Sequence, residues 1–140
     1  MAVEESMSAA ELECDGPVRL HNARVQDALV LRGATIGGIE GCLRMPEITI
    51  GGGLYLGRGF SCTGTVDLYG ASIGGSVELD EATLSGPGAG PGEHALHLGC
   101  AQIGGDVRAA GHLVVNGSVT LSDTSIRGSV VLQGSRISFP

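Results

Sequence analysis

The chain has 140 residues, a formal net charge of −7, 25 glycines, two tyrosines, two phenylalanines and no tryptophan. This composition excludes a core built on aromatic side chains, and the acidic balance argues against a protein that binds phosphate backbones. No run of about 18 apolar residues and no export signal is present, so the sequence predicts a cytoplasmic protein without a membrane-spanning helix.

The N-terminal segment differs from the rest of the chain. Residues 1–13 contain helix formers and no repeat, which predicts a short helix or a mobile leader. We therefore divide the chain into an acidic leader or cap over 1–15 and a repeat domain over 16–140. The leader contains five acids and no base, so residues 16–140, with 10 acids and 8 arginines, are nearly balanced in charge.

From Val18 onward the sequence repeats a unit of about eleven residues, of the form apolar-x-Leu-x-x-small-x-apolar. VDLYGASIGGS (Val66–Ser76) and VTLSDTSIRGS (Val119–Ser129) are two copies. Short apolar-x-apolar triplets separated by Gly, Asn, Asp and Ser are typical of two- or three-residue strands joined by corners. The inward anchors form four columns: Leu20, Leu43 or Met45, Leu68, Leu98 and Leu121; Val25, Ile50, Ile73, Ile103 and Ile126; Leu31, Leu56, Leu79, Ala109 and Leu132; and Ile36, Cys62, Leu84, Val115 and Ile137, extended backwards by Cys14.

These columns predict an all-β, single-stranded β-solenoid of about five four-sided coils of about 22 residues. The alternating spacing of five and six residues favours a right-handed coil over the strict six-residue period of left-handed ones. Glycines follow the second column at almost every coil, so that corner needs either positive φ or a close approach between coils.

A glycine- and proline-rich loop is predicted at residues 85–93, between the fourth column and the first. Loops on rigid scaffolds often carry recognition. Pro87, Gly88, Pro91 and Glu93 are therefore the candidate partner-binding residues, against the alternative of a tolerated insertion.

The repeats resemble three groups of proteins. Ala71-Ser72-Ile73 and Ala82-Thr83-Leu84 resemble the core triplets of pentapeptide-repeat proteins, which are right-handed quadrilateral β-helices. Gly104–Leu121 is similar to bactofilins, bacterial cytoskeletal solenoids that polymerise end to end without nucleotide. LVLRGATIGG (Leu29–Gly38) resembles long GA-x-IGG repeat proteins of high-GC bacteria. The matched residues are structural anchors, so the resemblance implies the fold and no catalytic residue.

Candidate chemical sites are few. His94, His97, Cys100 and the nearby His112 have the residue types of a metal site, but a solenoid directs them apart, so we predict no metal and no cofactor. Glu78, Asp80 and Glu81 are either paired for acid–base chemistry or, as we favour, a solvated charged face. His21, His97 and His112 are each a candidate base for an acyltransferase of the left-handed β-solenoid type, but that class needs a six-residue period. Cys62, in a core column, is predicted to be a small hydrophobe.

The predicted function is that of a non-enzymatic scaffold or protein-interaction module that self-associates through its terminal coils. Ile137, Phe139 and Leu132 are the predicted contacts, because an open solenoid exposes unpaired strand edges at its ends. The alternative explanation of such an edge is that the chain is a fragment of a longer solenoid. The partner is a second copy, as a dimer or a filament, or another protein, with no membrane and no direct nucleic acid binding. One alternative is a DNA mimic acting on a type II topoisomerase, as the resemblance to pentapeptide-repeat proteins implies. The other is an acyl- or carbohydrate-processing enzyme on a β-solenoid.

Overall fold

The computed structural model of the chain is an all-β solenoid of parallel stacked strands. It describes residues 2–3, 7–8, 12–14, 18–37, 43–85, 94–109, 113–131 and 136–138. The predicted fold class is confirmed, with about 4 turns of roughly 24 residues instead of about five coils of about 22. The right-handed sense stays a prediction.

Each side of the coil forms one parallel sheet, named A to D in the order in which the chain first enters them. Sheet A contains β1 (Ala2–Val3), β5 (Arg24–Val25), β9 (Thr49–Ile50), β13 (Ser72–Ile73), β17 (Gln102–Ile103) and β21 (Ser125–Ile126). Sheet B contains β2 (Met7–Ser8), β6 (Leu29–Val30), β10 (Leu54–Tyr55), β14 (Val77–Glu78), β18 (Val107–Arg108) and β22 (Val130–Val131). Sheet C contains β3 (Glu13–Cys14), β7 (Thr35–Ile36), β11 (Ser61–Thr63), β15 (Thr83–Ser85), β19 (Val114–Asn116) and β23 (Arg136–Ser138). Sheet D contains β4 (Val18–Arg19), β8 (Leu43–Arg44), β12 (Val66–Asp67), β16 (His94–His97) and β20 (Ser118–Thr120).

The strand registers confirm the second and fourth columns. In sheet A, Ile73 pairs with Ile50 on one side and Ile103 on the other. In sheet C, Cys14 pairs with Ile36, which confirms the backward extension of the fourth column. Side chains at the same register position therefore stack along the solenoid axis and form continuous aliphatic ladders.

The first column resolves in favour of Met45. Arg44 pairs with Asp67, and the N–H of Met45 donates to the Asp67 carbonyl, so Met45 shares the row of Leu68. Leu43 pairs with Val66 instead. In the central turns both apolar residues of a triplet are buried, as in Val66 and Leu68, because alternate residues of a strand point to the same face.

Phe60 is the largest fully buried side chain among the described residues. Ser61, which follows Phe60, pairs in sheet C with Thr35 and Thr83, which follow Ala34 and Ala82. Phe60 therefore lies in the row of Ala34 and Ala82. The row thus combines one aromatic ring with the small side chains of two alanines, a size pattern that favours dense packing in a narrow interior.

The glycines between sheets A and B, the A–B corner, are required by contact between turns. A Cβ on Gly74 would overlap the carbonyl oxygen of Gly51, and a Cβ on Gly104 would overlap that of Gly74. No positive φ is found at these positions. The close-approach alternative of the sequence analysis is therefore the correct one.

Positive φ occurs instead between sheets D and A, the D–A corner. One residue per turn is left-handed there, with φ between 54° and 68°: Asn22, Glu47, Gly70, Cys100 and Asp123. Four of these five carry side chains, because the corner faces solvent and has room for a Cβ even though the backbone is unfavourable.

The prediction of a short helix over residues 1–13 is wrong. The described residues there are strands β1, β2 and β3, which pair in parallel with β5, β6 and β7. The backbone N–H of Thr35 donates a hydrogen bond to the Leu12 carbonyl at 2.7 Å. Helix propensity is a weak prior, and an open sheet edge offers hydrogen-bond partners that outweigh it. In the described ranges, no helix has the length and hydropathy that a membrane span needs.

Candidate functional site

The described part of the interior holds no polar or charged side chain that could form a site. Every buried core side chain among the described residues is hydrophobic, and none is polar or charged. Cys62 is fully buried between Ile36 and Leu84, as predicted. A functional site in this part of the chain therefore lies on an outer face, at a corner or at an end of the solenoid.

One cluster of polar side chains lies where sheet D meets the D–A corner. His97 points outward between the buried Leu96 and Leu98, and its Nδ1 lies 3.4 Å from Oδ1 of Asp67. The backbone N–H of Tyr69 donates to the same oxygen at 3.0 Å. The Tyr69 and His97 rings are 5.5 Å apart, so the residues of two successive turns form one continuous polar surface.

The exposed Cys100 joins this cluster through Tyr69. The pKa of Tyr69 is raised above its usual value of 10.0. The largest cause is a hydrogen bond with the Cys100 side chain, and the second largest is the charge interaction with the same side chain. The carboxylates of Glu47 and Asp123 add to the rise in pKa, because negative charge nearby disfavours the phenolate. The phenol therefore stays protonated and serves as a hydrogen-bonding group.

The predicted divergence of the His94, His97 and Cys100 run stays a prediction. His97 lies on the sheet and Cys100 at the corner, while the side chain of His94 and the whole of His112 lie outside the described residues. No group of three or more His, Cys, Asp or Glu side chains in the described ranges is arranged to hold a metal ion.

The carboxylates of sheet B are held by arginines. Nη2 of Arg32 lies 3.1 Å from Oε2 and 3.2 Å from Oε1 of Glu78, and its guanidinium stacks over the Tyr55 ring at 4.6 Å. Arg32 thus reaches across the intervening turn, and its Nε is buried without a hydrogen-bond partner. The interpretation as a charged face is favoured, because both carboxylate oxygens of Glu78 already accept hydrogen bonds from Arg32.

Asp80 and Glu81 complete the acidic group of sheet B. Oδ2 of Asp80 lies 3.8 Å from Nε of Arg108. Glu81 is exposed at the corner that follows, with φ of 62°. Glu78 and Asp80 therefore contact different arginines, and Glu81 lies on the corner beyond them.

A shallow groove of about 490 Å³ runs over the outer face of sheet A. It exists because Gly74 and Gly104 place no side chains at the A–B corner. Its polar lining consists of Ser72, Gln102, Ser125 and Arg127. These groups offer hydrogen bonds to a polar chain but form no catalytic arrangement.

The C-terminal turn, defined as β20 to β23, has core positions that are open to solvent. Leu121 is 43% exposed, whereas Leu98 in the same row is 0% exposed. Val130 is 44% exposed, whereas its register partner Val107 is 4% exposed. Ile126 is only partly buried. These described core positions of the C-terminal turn therefore present apolar side chains to solvent.

The predicted contact residues fall mainly outside the described ranges. Ile137 lies in β23 and pairs with Val115, as the fourth column predicts, but its side chain is not described. Leu132 and Phe139 lie outside the described residues, as do the loop residues Pro87, Gly88, Pro91 and Glu93. The exposed Leu121 and Val130 were not among the predicted contact residues, although Leu121 is visible in the sequence as the last member of the first column.

Comparisons with known proteins found no match among protein-family models, curated proteins or solved structures. The resemblance to pentapeptide-repeat proteins, bactofilins and GA-x-IGG repeat proteins therefore stays a prediction. The β-solenoid itself rests on the strand pairing described above.

Proposed function

We propose that this protein is a non-enzymatic scaffold module that self-associates by placing its C-terminal turn against a second copy of the chain. The observation that carries the proposal is the exposure of Leu121 and Val130, whose row partners in the preceding turn are buried. Exposed apolar patches on soluble proteins mark interaction surfaces.

The backbone supports the same surface. Among the described strands, β21, β22 and β23 each have a sheet neighbour on one side only. The open side of such a strand favours the addition of a strand from another chain. Apolar side chains and open backbone edges thus coincide on one end of the molecule.

A second copy is the partner that fits this surface best. The end is four-sided, and each side continues a parallel ladder with a strand spacing of about 4.8 Å. Another solenoid of the same cross-section matches all these edges together, whereas a partner of another fold matches fewer of them.

The test is the oligomeric state of the full chain by light scattering coupled to gel filtration. We expect dimers or larger species, and we expect Leu121→Asp or Val130→Asp to convert them to monomers. Ile137→Asp and Phe139→Asp test the contacts predicted from the sequence in the same way.

Tyr69→Asp is the matched control. Tyr69 is 43% exposed, as Leu121 is, but it lies on a side of the solenoid. Assembly of this control at the wild-type concentration dependence, with loss only in the end variants, supports the proposal. A wild-type monomer, or assemblies that survive both end substitutions, would refute it.

The topoisomerase alternative requires a long acidic face. On sheet B, Glu78 and Asp80 lie beside Arg32 and Arg108, which divides the negative charge of that face. No specific contact favours this function or an enzymatic one, so self-association is the function we carry forward.

A further inference from the structure

The first and last segments of the sequence differ in charge, and their described strands continue the same apolar rows. Residues 1–15 contain five acids and no base, whereas residues 118–138 contain one acid, Asp123, and two arginines. Two unlike ends attract each other, whereas two copies of the same end bring like charges together.

The strand registers place the unlike charges in one row. In sheet C this row begins at Glu13 in β3 and ends at Arg136 in β23. Thr35, Ser61, Thr83 and Val114 lie between them. When the C-terminal turn of one copy meets the first turn of the next in register, Arg136 lies opposite Glu13 of that second copy. Opposite charges on adjacent strands stabilise a sheet.

The apolar rows also continue across such a joint. The row of sheet A begins at Val3 and ends at Ile126. The row of sheet B begins at Met7 and ends at Val130. Sheet D has one strand fewer, so sheets A, B and C carry the joint.

We propose that copies of this chain stack head to tail, with the C-terminal turn of each on the N-terminal strands β1, β2 and β3 of the next. This inference rests on the self-association proposed above and adds its polarity. A head-to-tail contact uses two different surfaces, so it leaves one of each free and leads to an open filament instead of a closed dimer.

Charge reversal in the full chain tests the polarity. We expect Glu13→Arg and Arg136→Glu each to raise the dissociation constant for assembly roughly tenfold, because an attractive pair becomes a repulsive one. An equimolar mixture of the two variants restores assembly, since each end of one variant then meets an opposite charge on the other. The double variant E13R/R136E also restores it, and thermal unfolding of each variant checks that the fold is retained.

Electron microscopy of the wild type at low salt gives the second readout, and we expect filaments that shorten as ionic strength screens the pair. If Glu13→Arg assembles like the wild type while Leu121→Asp is monomeric, the polarity is wrong and the self-association stands. If the mixture fails to assemble although each variant is folded, the paired row is wrong. A wild-type monomer overturns both proposals.

Discussion

The central turns and the C-terminal turn are built from the same repeat, but the same residue types have opposite environments in them. Leu98 is fully buried and Leu121 is 43% exposed, although they occupy one row of one ladder. The difference arises because a solenoid turn is covered by the turns on either side of it and by little else. Burial in this molecule is therefore a property of position along the axis, and the repeat itself does not determine it.

The largest expected effect on stability comes from shortening a core side chain in a central turn and in the C-terminal turn. Leu98→Ala removes a fully buried side chain and should lower the free energy of unfolding by about 2–5 kcal/mol. Leu121→Ala should cost less than about 1 kcal/mol, because its side chain is already half in water. Urea unfolding followed by circular dichroism, below the concentration at which copies associate, measures both. Equal losses would contradict a core that ends before the C-terminal turn.

The second effect concerns the A–B corner. Gly74→Ala should destabilise the protein by about 1–3 kcal/mol, because its Cβ meets the Gly51 carbonyl oxygen in a turn that is held from both sides. Gly128→Ala, in the C-terminal turn, should cost less because that turn can shift outward. The melting temperature of each variant is the measurement.

Gly37→Ala is the control for both corner variants, since a Cβ there has nothing within 4 Å. We expect its melting temperature to equal or slightly exceed that of the wild type. A neutral Gly74→Ala would show that contact between turns does not require glycine at this corner.

The third effect is smaller and tests whether side chains on sheet B tie the central turns together. Glu78→Gln removes the charge that Arg32 contacts across two turns, at side-chain exposures of 22% and 32%. We expect a loss below about 1 kcal/mol, which decreases with salt, because partly exposed ion pairs contribute little. Glu81→Gln, at an exposed corner, is the matched control and should change nothing. A salt-independent loss at Glu78 would show that packing, not charge, holds this contact.

The smallest effect is a shift in titration at the D–A corner. Cys100→Ala removes the largest cause of the raised pKa of Tyr69, so this pKa should fall towards 10.0. Because the folded pKa is the higher one, the contribution of the protonated phenol to stability is fully present below pH 10.0 and is lost as pH rises through the folded pKa. Tyrosinate absorbance in a Tyr55→Phe background reports Tyr69 alone. An unchanged titration curve in Cys100→Ala would contradict the hydrogen bond.

Much of the architecture was predictable, because the columns depend on spacing that the sequence displays directly. The pairs Ile73–Ile103 and Leu84–Val115 follow from counting residues. The choice of Met45 over Leu43 did not, since both are apolar residues of one triplet and both are buried. The strands at residues 2–14 did not either, because their pairing depends on the edge of the first coil and not on their own composition.

The surface was less predictable, for a physical reason. The outward positions carry no repeating pattern of residue types. The partners of their side chains therefore follow only from the register between whole turns. The contact between Arg32 and Glu78, 46 residues apart in sequence, has no local signal. The exposed end did have one, because the last members of the columns are visible in the sequence.

The row that contains Phe60, between Ala34 and Ala82, has a consequence for how such a molecule changes over time. Volume is shared among neighbouring turns, so a substitution that shrinks the ring leaves space that only a larger residue one turn away can fill. Changes at these three positions are therefore expected to be coupled in stability, at a separation of one turn along the chain. An added turn would have to copy this size pattern together with its hydrophobicity. The three positions therefore have to be changed together when a turn is duplicated or designed.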